Sequence, residues 1–231
     1  AMAASLLADS EHGKGILLGG IAGLNPCEVV ILGSDIAAIS AARTATGMGA
    51  TVRMFDNDVY SLRHASRELG ASLITSAMHP RVISAALHTA DVVIATPDAD
   101  TAYTIDSDEA MQLKRGVLVF DLTDRRMSPF PSMRPIDLAK ADTNRSRPEG
   151  WSVCYIHAGS AVPRTCAMAL SNTLMTMLTS VFTCDGVHNA LKLLPGLRKA
   201  AYLFLGRLVN EEIGEKTGLR ALDINLYLTL S

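Results

Sequence analysis

The run Cys27-Glu28-Val29-Val30-Ile31-Leu32-Gly33-Ser34-Asp35-Ile36-Ala37-Ala38-Ile39-Ser40-Ala41-Ala42-Arg43-Thr44-Ala45 decides the fold. Its β-branched opening from Cys27 to Leu32 stops at Gly33, as a buried strand does on entering a turn. An alanine-rich segment at helical period then runs from Ile36 to Met48. Strand, tight turn and helix follow one another without a spacer.

Outward from this unit the pattern repeats. Thr51 to Phe55 alternates and stops at Asp56, Val59 to Leu69 is helical up to Gly70, and Ser72 to Thr75 is a third strand. Arg81 to His88 then predicts a helix, Asp91 to Ala95 a buried strand, Ser107 to Lys114 a helix, and Gly116 to Phe120 a strand ending at Asp121. Strands alternating with helices imply an α/β fold, a Rossmann-like doubly wound parallel sheet with helices on both faces. Arg125 to Gly150, rich in Pro, Arg, Ser, Asp and Asn, predicts a long loop, and Trp151 to Ile156 the last strand. Pro163 opens an uncharged helix, and beyond Cys184 shorter helices form a C-terminal tail. The expected division is a nucleotide-binding domain with its lead-in over 1–183 and a helical extension over 184–231.

The chain has 231 residues, 48% of them hydrophobic and 19% charged, with a formal charge of -2. No broad positive field exists to hold a polyanion, so nucleic acid is not an expected partner. Cys27, Cys154, Cys166 and Cys184 lack any Cys-x-x-Cys spacing, and the histidines lack ligand pairing at helical spacing. No metal site is expected, and reduced thiols suit a cytoplasmic protein. The uncharged stretch from Thr165 to Cys184 is about long enough to span a bilayer. Its polar Ser171, Asn172 and Ser180, and its apolar Leu170, Leu174, Met177, Leu178 and Val181 at helical spacing, predict a packed amphipathic helix instead. No membrane association and no secretory signal are expected.

The turn Gly33-Ser34-Asp35-Ile36-Ala37-Ala38 stands where open parallel sheets cradle phosphates. A dinucleotide fingerprint needs Gly-x-Gly-x-x-Gly/Ala, so that pyrophosphate can approach the backbone at a helix N-terminus. Gly33 and Ala38 comply, and Asp35 does not. Asp56 closes the second strand, the place and residue type that accept from an adenosine ribose and repel a 2′-phosphate, which selects NAD over NADP. Asn57 beside it joins the candidate cofactor-binding set. A carboxylate at Asp35 either faces the pyrophosphate or caps the helix and takes the phosphate's place. Two unit charges about 4 Å apart repel by roughly 4 kcal/mol at an effective dielectric near 20, on the order of a thousandfold in affinity.

The chain resembles the C-terminal NAD-binding domain of the alanine dehydrogenase and pyridine nucleotide transhydrogenase α-subunit family. The resemblance rests on the lead-in from Gly13 to Gly23 with Pro26, Glu28 and Val29 to Gly33, on Ala41-Ala42-Arg43-Thr44-Ala45 with Gly47-Met48-Gly49-Ala50, and on Ser160-Ala161-Val162-Pro163-Arg164-Thr165. It implies oxidative deamination of L-alanine to pyruvate with NAD. That chemistry needs a substrate domain for which this chain has no room, and a homo-oligomer is expected.

The resemblance also places Thr96 and Pro97 in a loop touching the bridge between the two nucleotide halves. His157 stands where the family has an Asn, either as a polar contact to the nicotinamide ribose or as an ordinary loop histidine. The family's acidic residue beyond the strand ending at Asp121 falls on Arg125, and on Asp124 only with a one-residue deletion. Asp124 is therefore either the catalytic candidate near the nicotinamide or a solvated carboxylate beside two arginines. Three functions stay open: the NAD domain of an alanine-dehydrogenase-like oxidoreductase, a transhydrogenase nucleotide domain, and a catalytically silent scaffold or nucleotide sensor.

Overall fold

In a computed structural model of the chain, which describes residues 1–11, 13–97, 103–123, 128–140, 153–184 and 186–229, the strands and helices expected between residues 27 and 121 all form. They are β1 (Glu28–Leu32), α2 (Ile36–Gly47), β2 (Thr51–Phe55), α3 (Val59–Leu69), β3 (Leu73–Ser76), α4 (Pro80–Thr89), β4 (Val92–Ala95), α5 (Ser107–Met111) and β5 (Leu118–Asp121), preceded by α1 (Met2–Ala8). With β6 (Arg134–Asp137) and β7 (Val153–Ile156) they build a seven-stranded sheet in the order β3-β2-β1-β4-β5-β7-β6, every pair parallel. The doubly wound sheet read from the alternation is the observed architecture.

Side-chain alternation splits β1 between two cores. Val29 and Ile31 face one layer with Ala38, Ala42, Leu62 and Ala65, while Val30 and Leu32 face the other with Ile83, Ala86 and Leu87. Small residues let α2 lie close against the sheet: Ala38 and Ala42 are fully buried. At the opposite, amino end of the strands, Asp91 accepts from Lys14 Nζ at 3.1 Å, Lys114 Nζ at 2.7 Å and the Glu28 N–H at 3.2 Å. Burial pushes its carboxyl up, but the two ammonium groups and the N–H outweigh burial and hold it below the usual carboxylate range.

Three expectations need correction. Arg134–Asp137, read as part of a long loop, is a strand; Pro135 can stand there because β6 is at the edge of the sheet, where a missing N–H breaks no ladder. α5 stops at Met111 rather than Lys114. The helical tail also carries a short hairpin, in which β8 (Leu203–Phe204) and β9 (Arg207–Leu208) pair antiparallel around Leu205 and Gly206, both at positive φ as a two-residue hairpin turn requires. Finally, α6 (Pro163–Thr183) has no buried residue: Leu170 is 64% and Phe182 80% exposed. Its own unit does not cover its apolar side chains, where a packed helix was expected. By length and composition alone it could cross a membrane.

Contacts divide the chain into two units, Ala1–Val162 and Pro163–Ser231, the second beginning with α6. In the second unit α7 (Val187–Leu193), α8 (Pro195–Ala200), α9 (Glu211–Thr217) and α10 (Ile224–Thr229) accompany the hairpin, and Leu191, Val209, Ile224 and Leu228 form its core.

Two outcomes follow from this packing. Ala42→Leu, which inserts three heavy atoms between α2 and β1, should cost about 1–3 kcal/mol in urea unfolding. Because the Asp91 carboxyl is depressed on folding, its stabilisation is complete above the unfolded carboxyl range and is lost as pH falls through the folded value. Asp91→Asn should therefore lower stability by about 2 kcal/mol at pH 7, a gap that closes on acidification below about pH 4.

Candidate functional site

β1 lies between β2 and β4, so the chain turns to opposite sides of it and a crevice opens at its carboxyl end. Gly33 begins the turn at φ 110, a value that a side chain would strain, and its N–H donates to the Phe55 carbonyl at 2.8 Å. Buried Ser34 follows. Its hydroxyl donates to Asp56 Oδ2 at 2.6 Å, while the Asp58 N–H donates to Asp56 Oδ1 at 2.9 Å. Asp56, only 7% exposed, thus has both carboxylate oxygens engaged from within the chain.

Asp35 is the N-cap of α2, its Oδ1 accepting from the Ala38 N–H at 2.7 Å. The capping alternative read from the sequence is the geometry present. A carboxylate therefore sits at the positive end of the helix where a pyrophosphate would be seated. Beside it an open cleft of about 370 Å³ is lined by Ser34, Asp35, Ile36, Arg43, His64 and Glu68. Arg43 Nη2 donates to Glu68 Oε1 at 2.8 Å across that cleft, a pairing between α2 and α3 that helical periodicity could not reveal.

The remaining candidates divide. Thr96 is fully buried and locks the turn, its N–H donating to the Leu32 carbonyl at 3.0 Å and its hydroxyl to the same oxygen at 3.3 Å. Ile36, Asn57 and Pro97 are exposed around the crevice, and Ala38 is packed against the sheet. Asp124 lies outside the described residues.

His157, three strands away from β1 and so roughly 14 Å across the sheet at about 4.8 Å per strand, follows β7 in a left-handed conformation at φ 56. Its Nδ1 is 2.7 Å from Oδ1 of Asp137, the last residue of β6. That hydrogen bond, with the Ala139 N–H at 2.9 Å, holds the Asp137 carboxyl below the usual carboxylate range.

Two carboxylates were not singled out as site residues from the sequence. Asp137 went unnoticed because its strand did. Asp121, 2% exposed at the end of β5, accepts from the Thr123 N–H at 3.0 Å and hydroxyl at 2.6 Å and from the Ser128 hydroxyl at 2.5 Å, which ties both residues to the strand end. An acidic residue closing a buried strand was its visible signal.

Comparison with known proteins places this geometry. The family described as "Alanine dehydrogenase/PNT, C-terminal domain" matches residues 1–211. An alanine dehydrogenase of Mycolicibacterium smegmatis is 28% identical over 227 residues, covering 95% of this chain and 59% of that protein. One of Mycobacterium tuberculosis is 27% identical over 218 residues, covering 91% of this chain and 57% of that protein. The solved structure of an L-alanine dehydrogenase shares the fold with a TM-score of 0.75 at 24% identity, covering 94% of this chain and 60% of that one. The chain thus spans less than two thirds of the length of these relatives.

Ser34→Ala should cost about 1–3 kcal/mol in urea unfolding, because it leaves the buried Asp56 with one hydrogen bond fewer. A loss below 0.5 kcal/mol, the range of ordinary surface changes, would show that the Ser34 bond contributes nothing.

Proposed function

The chain belongs to the alanine dehydrogenase/PNT C-terminal domain family, and we propose that it is the NAD(H)-binding part of an alanine-dehydrogenase-like oxidoreductase. The observation that carries this reading is Asp56, a nearly buried carboxylate closing β2 beside the glycine turn at the switch point of the sheet. There it would accept from the adenosine ribose hydroxyls and exclude a 2′-phosphate. Gly33 lets the backbone turn under the pyrophosphate, Ala38 brings α2 close, and the exposed Asn57 and Pro97 would flank the two halves of the dinucleotide. When bound, the nicotinamide supplies the hydride acceptor. His157 lies on the side of the sheet where that ring would reach, with Asp124 as the acid expected near it.

The residues fit such a cofactor in part. Asp56 and Gly33 suit it, whereas Asp35 places a negative charge against the pyrophosphate. Substrate holding and proton transfer on alanine would fall to a second domain outside this chain. The apolar side chains of α6 that its own unit leaves exposed suit a homo-oligomer, and cysteines held in no disulfide suit the cytoplasm. The Asp35 cap favours one further reading, a relative retained as a nucleotide sensor or scaffold without turnover.

NADH titration followed by fluorescence tests the proposal. Wild type should bind weakly, and Asp35→Gly on the order of a hundredfold to a thousandfold more tightly, with circular dichroism confirming that α2 persists. Equal affinity of the two chains discards the occupied cradle. Binding by neither discards the NAD reading.

A further inference from the structure

The crevice at the end of β1 is bordered by the amino ends of α2 and α3, and an aspartate caps each of them. Asp35 Oδ1 accepts from the Ala38 N–H at 2.7 Å. Asp58, whose own N–H donates to Asp56, accepts from the Ser61 hydroxyl at 2.6 Å and from the Tyr60 N–H at 2.9 Å. Those two donors, the hydroxyl first, hold the Asp58 carboxyl below the usual carboxylate range. Helix amino ends attract phosphate through their N–H groups and dipole, and here a carboxylate stands at both. The two basic side chains lining the neighbouring cleft each lie against Glu68, Arg43 Nη2 at 2.8 Å from Oε1 and His64 Nε2 at 3.7 Å from Oε2. Asp56 meets a different demand. It accepts from the Ser34 hydroxyl and the Asp58 N–H, and a carboxylate has about four lone-pair sites, so roughly two remain for neutral hydroxyl donors.

We propose that the crevice takes an adenine nucleoside without a phosphate as a second ligand, in preference to the same nucleoside carrying one phosphate or two. This rests on the NAD(H) reading, which assigns the adenosine ribose to Asp56. The vicinal ribose hydroxyls are neutral donors that Asp56 accepts whatever follows at the 5′ position. The 5′ substituent, which points toward the α2 cap in that reading, then decides the preference. A 5′-hydroxyl is a donor that the Asp35 carboxylate accepts, whereas a 5′-phosphate brings acceptors and like charge against it. In an ordinary phosphate cradle each phosphate adds affinity, and with Asp35 and Asp58 at the helix ends it subtracts. The same crevice thus distinguishes a nucleoside from its nucleotides by charge, a selection suited to a sensor.

Isothermal titration calorimetry with adenosine, AMP and ADP, on wild type and Asp35→Asn, tests this. Asn caps a helix as well as Asp does, so the substitution removes the charge and keeps α2 capped. Wild type should bind adenosine at least about tenfold more tightly than AMP, and ADP more weakly still, with the gap narrowing at high salt. Asp35→Asn should strengthen AMP by about tenfold and leave adenosine within about threefold of its wild-type affinity. In Asp35→Asn, adenosine should also displace NADH, followed by fluorescence, as two ligands of one site do. AMP or ADP binding wild type as tightly as adenosine overturns the inference and leaves the NAD(H) reading standing. So does NADH binding that adenosine fails to displace. An adenosine preference that is the same in both chains overturns the part given to Asp35. Binding of neither adenosine nor NADH by either chain overturns the reading of Asp56, and this inference with it.

Discussion

Leu32, at the carboxyl end of β1, is paired with Phe55 on one side and Ala95 on the other. That double pairing fixes the rest of the site. It forces the chain to leave β1 through Gly33, sets the start of α2 above the crevice, and brings Asp56 and Thr96 to either flank of the turn. Thr96 closes the arrangement by donating twice to the Leu32 carbonyl. A parallel sheet that reverses its strand order at β1 has its binding crevice here whatever the ligand, and the chemistry is then set by the side chains the turn carries.

Those side chains are unusually acidic and well bonded. Asp35 satisfies the Ala38 N–H, and Ser34 engages Asp56, so the two groups that would meet a dinucleotide each have a partner within the chain. The magnitudes decide which effect governs affinity. Rotating Asp35 out of its cap costs about 1 kcal/mol, whereas leaving its charge near a pyrophosphate costs roughly 4 kcal/mol at an effective dielectric near 20. Displacing the cap is the smaller obstacle, and residual repulsion from a carboxylate still close by is the larger one. With this balance the proposed site would hold the nucleotide weakly without losing its shape.

Alternation and turn chemistry made the first five strands legible, because strands buried on both faces read as β-branched runs with glycine or aspartate at their ends. Asp35 could be read as a cap or a phosphate contact, and the hydrogen bond to Ala38 is a distance that spacing alone does not give. β6 was illegible for a physical reason: an edge strand of four residues, with Pro135 and exposed Arg134, buries only Ile136 among them and shows no alternation to detect. Asp137 and its link to His157 were lost with it. The apolar spacing of α6 predicted packing because periodicity reports an apolar face, not what covers it. The Leu205–Gly206 hairpin turn was masked by leucine-rich neighbours that suit a helix equally well.

The most direct measurement is a ¹⁵N–¹H amide spectrum followed through an NADH titration, with the Ala38 amide reporting on the Asp35 cap and the Asp58 amide on Asp56. The account predicts that both resonances move together and saturate at one NADH concentration, as the cap yields to the pyrophosphate and the ribose reaches Asp56. Saturable NADH binding that leaves both amides unmoved would contradict it.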